Sequence, residues 1–106
     1  MAHITWAASA AIDFREIIDW IINHSSATIA KNIAEKIDSD VSRLSEFPET
    51  GRIIPELEQQ NITKYREIIV APWRVLYTQE SDRILILAVI DGRRNIEDIL
   101  LRRNLR

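Results

Sequence analysis

Alternation of apolar and polar side chains predicts two β-strands in the second half of the chain, Tyr65–Val70 and residues 73–78. A third strand at residues 84–90 is apolar without interruption, which is typical of a strand covered on both faces. The connections at Ala71-Pro72 and residues 79–83 are short enough for antiparallel hairpins. These residues therefore predict a small, mainly antiparallel sheet.

The first half of the chain shows the periodicity of helices instead. A short strand at His3–Trp6 is followed by apolar stripes with helical spacing in residues 7–24 and 27–46. Ser25-Ser26 separates the stripes and can cap the second helix, and Phe47-Pro48 ends it. With so short a connection, we expect an antiparallel two-helix hairpin that packs on the inner face of the sheet.

Two further segments complete an α+β fold. Residues 48–57 contain two prolines and a glycine, which predicts an extended loop. Asn95 can cap a short C-terminal helix over residues 96–104. The positive charge at the end of this helix complements the helix dipole, and we expect it to stabilise the helix; it comes from Arg102, Arg103 and Arg106.

Length and composition predict one small domain, residues 1–106. Hydrophobic residues make up 46% of the chain and charged residues 28%, so a single core can form. There is no cysteine, no apolar run of the roughly 20 residues that a membrane span needs, and no secretory signal pattern. We therefore expect a cytoplasmic protein without membrane contact. No cluster of potential ligands suggests a metal or another cofactor.

Charge is distributed unevenly along the chain. The net charge is −2, with −5 in residues 1–63 and +3 in residues 64–106, so an anionic partner is expected to meet the second half. We predict that Arg66 and Arg74 point outward from neighbouring strands, and Arg93 and Arg94 follow the third strand. Such a set suits phosphate or carboxylate, although each arginine alone could simply solvate the end of a strand.

The order of these features resembles the RelE/ParE toxin superfamily of bacterial type II toxin–antitoxin pairs. The resemblance rests on a strand, a helical hairpin and then the segments Phe-Pro-Glu-Thr-Gly-Arg-Ile-Ile-Pro-Glu-Leu, Arg-Glu-Ile, Trp-Arg-Val-Leu-Tyr and Ile-Leu-Ile-Leu-Ala-Val-Ile-Asp-Gly-Arg-Arg. The loop and the long hairpin are more similar to the ParE branch. The chain departs from the family at Trp73, where tyrosine is usual, and at Asp91, where histidine is frequent.

The resemblance implies two alternative activities. RelE-like members cut messenger RNA on the ribosome, and by position Arg74 and Arg94 would stabilise the phosphate while Glu56 would act as the base. Such a nuclease also needs an acid for the leaving oxygen, and the C-terminal tyrosine or histidine of that branch has no match here. The only histidines, His3 and His24, are expected at the surface.

ParE-like members instead poison DNA gyrase and need no catalytic groups, so we favour this reading and do not expect an enzyme. Arg66, Arg74, Arg93 and Arg94 would then contact gyrase, its DNA or the antitoxin. An inactive binding module of the same fold is a third reading.

The resemblance also implies a cognate antitoxin as partner, with a toxin–antitoxin hetero-oligomer as the assembly. Antitoxins of this superfamily wrap a disordered segment around the toxin. Trp20, off the apolar stripe of the first helix, and Trp73 are the residues we expect to bind it.

Overall fold

A computed structural model describes residues 2–103 of the chain. A five-stranded sheet has the strand order β1-β5-β4-β3-β2. Only the β1–β5 pair is parallel, and the other three neighbouring pairs are antiparallel. The strands, in chain order, are β1 (His3–Trp6), β2 (Arg52–Ile53), β3 (Tyr65–Val70), β4 (Trp73–Glu80) and β5 (Arg83–Asp91).

The helices follow the predicted α+β class. They are α1 (Ala8–His24), α2 (Ala27–Ser42), α3 (Pro55–Glu58) and α4 (Ile96–Arg102). The predicted caps are confirmed, because the Ser26 side chain accepts from the Ile29 N–H and the Asn95 side chain accepts from the Asp98 N–H. The α1–α2 hairpin, β1 and β3 are also as predicted, whereas α2 ends at Ser42 and a single 3₁₀ turn carries the chain to Ser45.

The helical hairpin covers one face of the sheet, as expected. Its buried residues interlock with those of β3, β4 and β5 in one apolar cluster, whose fully or nearly fully buried members include Ala10, Ile37, Val41, Leu44, Val75, Tyr77, Ile84 and Ile86. Burial of these side chains against the sheet is the main source of stability for helices of this length.

The opposite face of the sheet is also covered, as the uninterrupted apolar run of β5 predicted, although Arg66 and Arg74 were expected to point outward. Helices α3 and α4 bury Leu57, Ile96, Ile99 and Leu100 there, against Leu76, Ala88 and Ile90 of the strands. Residues 48–57 are accordingly not a simple extended loop. They contain β2 and the start of α3, with Pro55 in the first turn of α3, where its missing N–H costs nothing.

Several expectations fall at or beyond the edge of the described residues. Helix α4 ends at Arg102. Asn104, the last residue of the predicted helix, and Arg106 lie outside the described part of the chain.

Within residues 2–103, no helix is long and apolar enough to cross a membrane. His3 and His24 are exposed, as predicted.

Candidate functional site

Arg74 is buried in a cluster of ionic side chains and does not point outward as predicted. Its Nη1 and Nη2 donate to the two carboxylate oxygens of Glu56 at 2.8 and 2.9 Å. Its Nε donates to Glu67 at 2.5 Å, and Arg52 donates to the other Glu67 oxygen at 2.8 Å. The Glu67 side chain is fully buried, so these two arginines supply the compensation that a buried carboxylate requires.

Pairing with Glu56 and Glu67 also shifts proton affinities in this cluster. The hydrogen bonds from Arg74 hold the pKa of the Glu56 carboxyl below its usual value. The same bonds raise the pKa of the Arg74 guanidinium further above its usual range. Glu56 is therefore a weaker base than an isolated glutamate, and the Arg74 fork is already occupied.

Arg66 lies on the other face of the sheet from Arg74. In the β3–β4 register Arg66 stands opposite Tyr77, on the hairpin side, whereas Arg74 stands opposite Ile69. The Arg66 guanidinium donates to the Gly51 carbonyl at 2.7 Å. The sheet therefore separates these two arginines, and the expectation that both point outward on one surface is wrong.

Tyr77 also anchors residues 48–51, from the hairpin side of the sheet. Its buried hydroxyl donates to the Pro48 carbonyl at 2.7 Å and accepts from the Gly51 N–H at 2.9 Å. Burial raises the pKa of this phenol. Space at Gly51 is so limited that an added Cβ would lie 2.5 Å from the Glu67 carbonyl oxygen. Residues 48–58 are thus fixed to the sheet by contacts on both of its faces.

Four other predicted residues do come together, in a groove of about 350 Å³ between α1 and the end of β5. Trp20 of α1 and Trp73, at the start of β4, both line it. The turn after β5 contributes Arg93 and Arg94. Trp20 is 60% exposed, so its indole is accessible in this groove, hereafter the Trp20 groove. Outside the groove lining, His24 stacks on Trp20 with ring centroids 4.4 Å apart.

The two arginines of the Trp20 groove differ in their partners. Arg93 donates through Nε and Nη2 to both oxygens of Asp91, at 3.0 and 2.7 Å, and Asp91 also accepts from the Arg93 N–H. These bonds lower the pKa of Asp91 to about 2. The Arg94 side chain has no hydrogen-bonded or ion-pair partner within residues 2–103. Of the two, Arg94 is therefore the arginine whose guanidinium donors are available to a ligand.

Two residues with important contacts were not singled out from the sequence. Asp13 of α1 forms a bidentate pair with Arg103, at 2.8 Å for both bonds, and accepts from the Val89 N–H at 3.0 Å. Glu67 is the other. Its place in β3, between Tyr65 and Ile69 on one face, was a usable signal, because a charged residue there needs a cation on the neighbouring strand.

Comparison with known proteins adds evidence of ancestry. A family model described as the ParE toxin of type II toxin–antitoxin systems, parDE, matches residues 4–96. Toxin ParE3 of Caulobacter vibrioides is 30% identical over 84 residues, which cover 79% of this chain and 80% of that protein. A solved structure described as the chromosomal ParDE TA system from P. aeruginosa has the same fold. Its TM-score is 0.71 at 19% identity, covering 86% of this chain and 96% of that one.

Proposed function

Since this chain belongs to the ParE toxin family of type II toxin–antitoxin systems, we propose that it inhibits growth by poisoning DNA gyrase and is neutralised by a cognate antitoxin. We further propose that residues 1–106 act as a single toxin domain in the cytoplasm, where gyrase and its DNA are found, and that toxin and antitoxin form a hetero-oligomer.

The observation that carries the choice of gyrase over RNA cleavage is the pairing of Arg74 with Glu56. A ribonuclease of this fold would need Arg74 free for the phosphate and Glu56 free to take a proton. Here the two side chains satisfy each other through a bidentate pair, and Glu67 occupies the remaining Nε of Arg74. We therefore assign Arg74 to fold stability, with Glu56, and Arg66 to the anchoring of residues 48–58.

A toxin that acts by binding needs an accessible surface, and the Trp20 groove supplies one. Exposed aromatic and arginine side chains are the residue types that dominate protein interfaces. Arg93 and Arg94 border this groove, with side chains open to solvent. We propose that these two arginines contact the gyrase–DNA complex.

Two reactions test the choice of target. The purified chain is added to gyrase supercoiling and cleavage reactions and, separately, to ribosomes programmed with messenger RNA. We expect trapped gyrase–DNA cleavage complexes and intact messenger RNA. Cleaved messenger RNA with unaffected gyrase would reject the proposal in favour of the RelE-like alternative. No effect in either reaction would favour an inactive binding module.

A substitution at Glu56 separates the two activities in one protein. Glu56→Gln removes a candidate base while its amide can still accept a hydrogen bond from Arg74. A gyrase poison should keep its activity in this variant once the folded fraction is confirmed by circular dichroism. The matched double variant Arg93→Gln/Arg94→Gln should instead lose activity while remaining folded.

We propose that the antitoxin covers the Trp20 groove, with Trp20 and Trp73 as contacts. A disordered segment that folds on binding gains affinity by burying large apolar side chains, and Trp20 is among the most exposed of these. Trp20→Ala should weaken binding of the cognate antitoxin by at least about tenfold in calorimetry. Phe47→Ala is the matched control, because Phe47 is also 60% exposed and lies outside the groove. Equal losses in the two variants would contradict this assignment.

A further inference from the structure

A second, smaller cleft of about 150 Å³ lies where the turn after β5 meets α4. It is lined by Ile99 and by three arginines, Arg94, Arg102 and Arg103. Ile99 is buried and gives the cleft an apolar floor. The positive charges of three arginines that line one small cleft repel one another unless an anion or a set of carboxylates compensates them.

Carboxylates of the protein compensate only part of the positive charge of this cleft. Among residues 2–103, six arginines form ion pairs with carboxylates: Arg43, Arg52, Arg74, Arg83, Arg93 and Arg103. In the cleft only Arg103 has such a partner, Asp13. Arg102 has one long contact, 3.5 Å from its Nε to the Asp98 carbonyl oxygen, and the Arg94 side chain has none within the described residues. Arg94 is near enough to Asp91 to help lower the pKa of that carboxyl, but among residues 2–103 neither Arg94 nor Arg102 forms an ion pair with a carboxylate.

Asp13 also fixes one wall of the cleft in place. Its carboxylate holds the Arg103 guanidinium through two bonds of 2.8 Å and is itself bonded to the Val89 N–H of β5. Arg103 Nη1 reaches the Leu87 carbonyl oxygen as well, at 3.4 Å. Arg103 is thus held in position before any ligand arrives, which reduces the ordering cost of binding.

The number of donors favours phosphate over carboxylate. Elsewhere in this protein one arginine satisfies one carboxylate with a planar fork, as Arg74 does for Glu56 and Arg103 for Asp13. The Arg103 fork is already paired with Asp13, so the donors open to a ligand in the cleft are chiefly those of Arg94, in the turn after β5, and Arg102, in α4. A tetrahedral phosphate presents its oxygens in more directions than a flat carboxylate does, so it suits donors that approach from two elements, although a carboxylate can also bridge two arginines, as Glu67 does.

We propose that Arg94, Arg102 and Arg103 form a binding site for a phosphate group, supplied by the backbone of a nucleic acid or by a free phosphate compound. The site does not depend on gyrase being the target, and its test measures binding, not growth inhibition. It assigns to Arg102 and Arg103 a role beyond stabilisation of the helix end.

Fluorescence anisotropy of the purified chain with a labelled short DNA duplex tests the nucleic-acid source. The double variant Arg94→Gln/Arg102→Gln should bind at least about tenfold more weakly, and the slope of log affinity against log salt should fall by about two, one for each lost phosphate contact. Arg15→Gln is the matched control, because Arg15 is exposed, has no partner within the described residues and lines neither cleft. The control should bind as the unaltered chain does.

A second arm uses pyrophosphate and follows the side-chain Nε–H signals of the arginines by NMR. Shifts at Arg94 and Arg102 without any binding of the duplex would support a free phosphate compound as ligand. A polyglutamate peptide at equal ionic strength should compete poorly, and equal competition would overturn the preference for phosphate. The site itself is refuted if neither probe binds, or if the double variant and Arg15→Gln behave alike. Circular dichroism confirms that both variants are folded.

Discussion

Arg74→Met should destabilise the fold strongly, because it removes the main partner of a buried charge. Methionine keeps most of the apolar bulk of the arginine stem, so the change isolates the charge. Glu67, 1% exposed, would be left with Arg52 alone, whose side chain is 63% exposed. Breaking a buried pair on one side costs about 3–5 kcal/mol, and the remaining bond from Arg52 places the expected loss near the lower end.

Urea denaturation measures this loss of stability directly. The melting temperature should fall by roughly 12 °C or more for a domain of this size. Arg83→Met is the control, because Arg83 and Glu80 form an exposed pair whose loss should cost less than about 1 kcal/mol. The double variant Arg74→Met/Glu67→Leu should recover much of the stability, since it removes the buried charge along with its partner. The reasoning fails if Arg74→Met is no less stable than Arg83→Met, or if the double variant is as unstable as the single one.

Three further substitutions, with Gly92→Ala as a comparison, test the anchoring of residues 48–58. Tyr77→Phe removes both hydrogen bonds of the buried hydroxyl and should cost about 1–3 kcal/mol in urea denaturation; an unchanged midpoint would contradict this. Gly51→Ala should cost about 1–3 kcal/mol because its Cβ would press on strand backbone at 2.5 Å, and Gly92→Ala, with its nearest contact at 3.1 Å, should cost less. The pKa of Glu56 is lower in the folded state, so its pairing stabilises the protein above the usual pKa of 4.5 and ceases to do so as the pH falls through the lower, folded-state value. The stability advantage of the unaltered chain over Glu56→Gln should therefore be full near neutral pH and vanish in acid, whereas a difference independent of pH would exclude this origin.

The long elements of this fold could be predicted from the sequence because their periodicity extends over many residues. Strand β3 and the α1–α2 hairpin have the expected positions, since alternation and helical stripes each repeat several times there. Helix α3 has four residues and β2 has two, too few for any period to show. Helix α3, one of the two helices that cover the second face of the sheet, was missed for this reason.

The burial of Arg74 was not predicted because α3 was not predicted. Alternation correctly places Arg74 on the face of Leu76 and opposite to Val75, but alternation does not tell which faces are covered. Because α3 was not predicted, an arginine on that face was expected to be exposed. By contrast, Trp20 could be recognised as off the apolar stripe because α1 is long enough to define its own buried side.

The parallel pairing of β1 with β5 imposes an order on folding during synthesis. His3 pairs with Arg83, so the first strand must wait for its partner until nearly all of the sheet has left the ribosome. Until then the apolar stripe of the α1–α2 hairpin lacks most of its partner surface in β4 and β5. The Trp20 groove, built from α1 and the residues that follow β5, is completed only at that late stage. The surface that we propose binds the target and the antitoxin is therefore absent from a nascent chain for most of its translation.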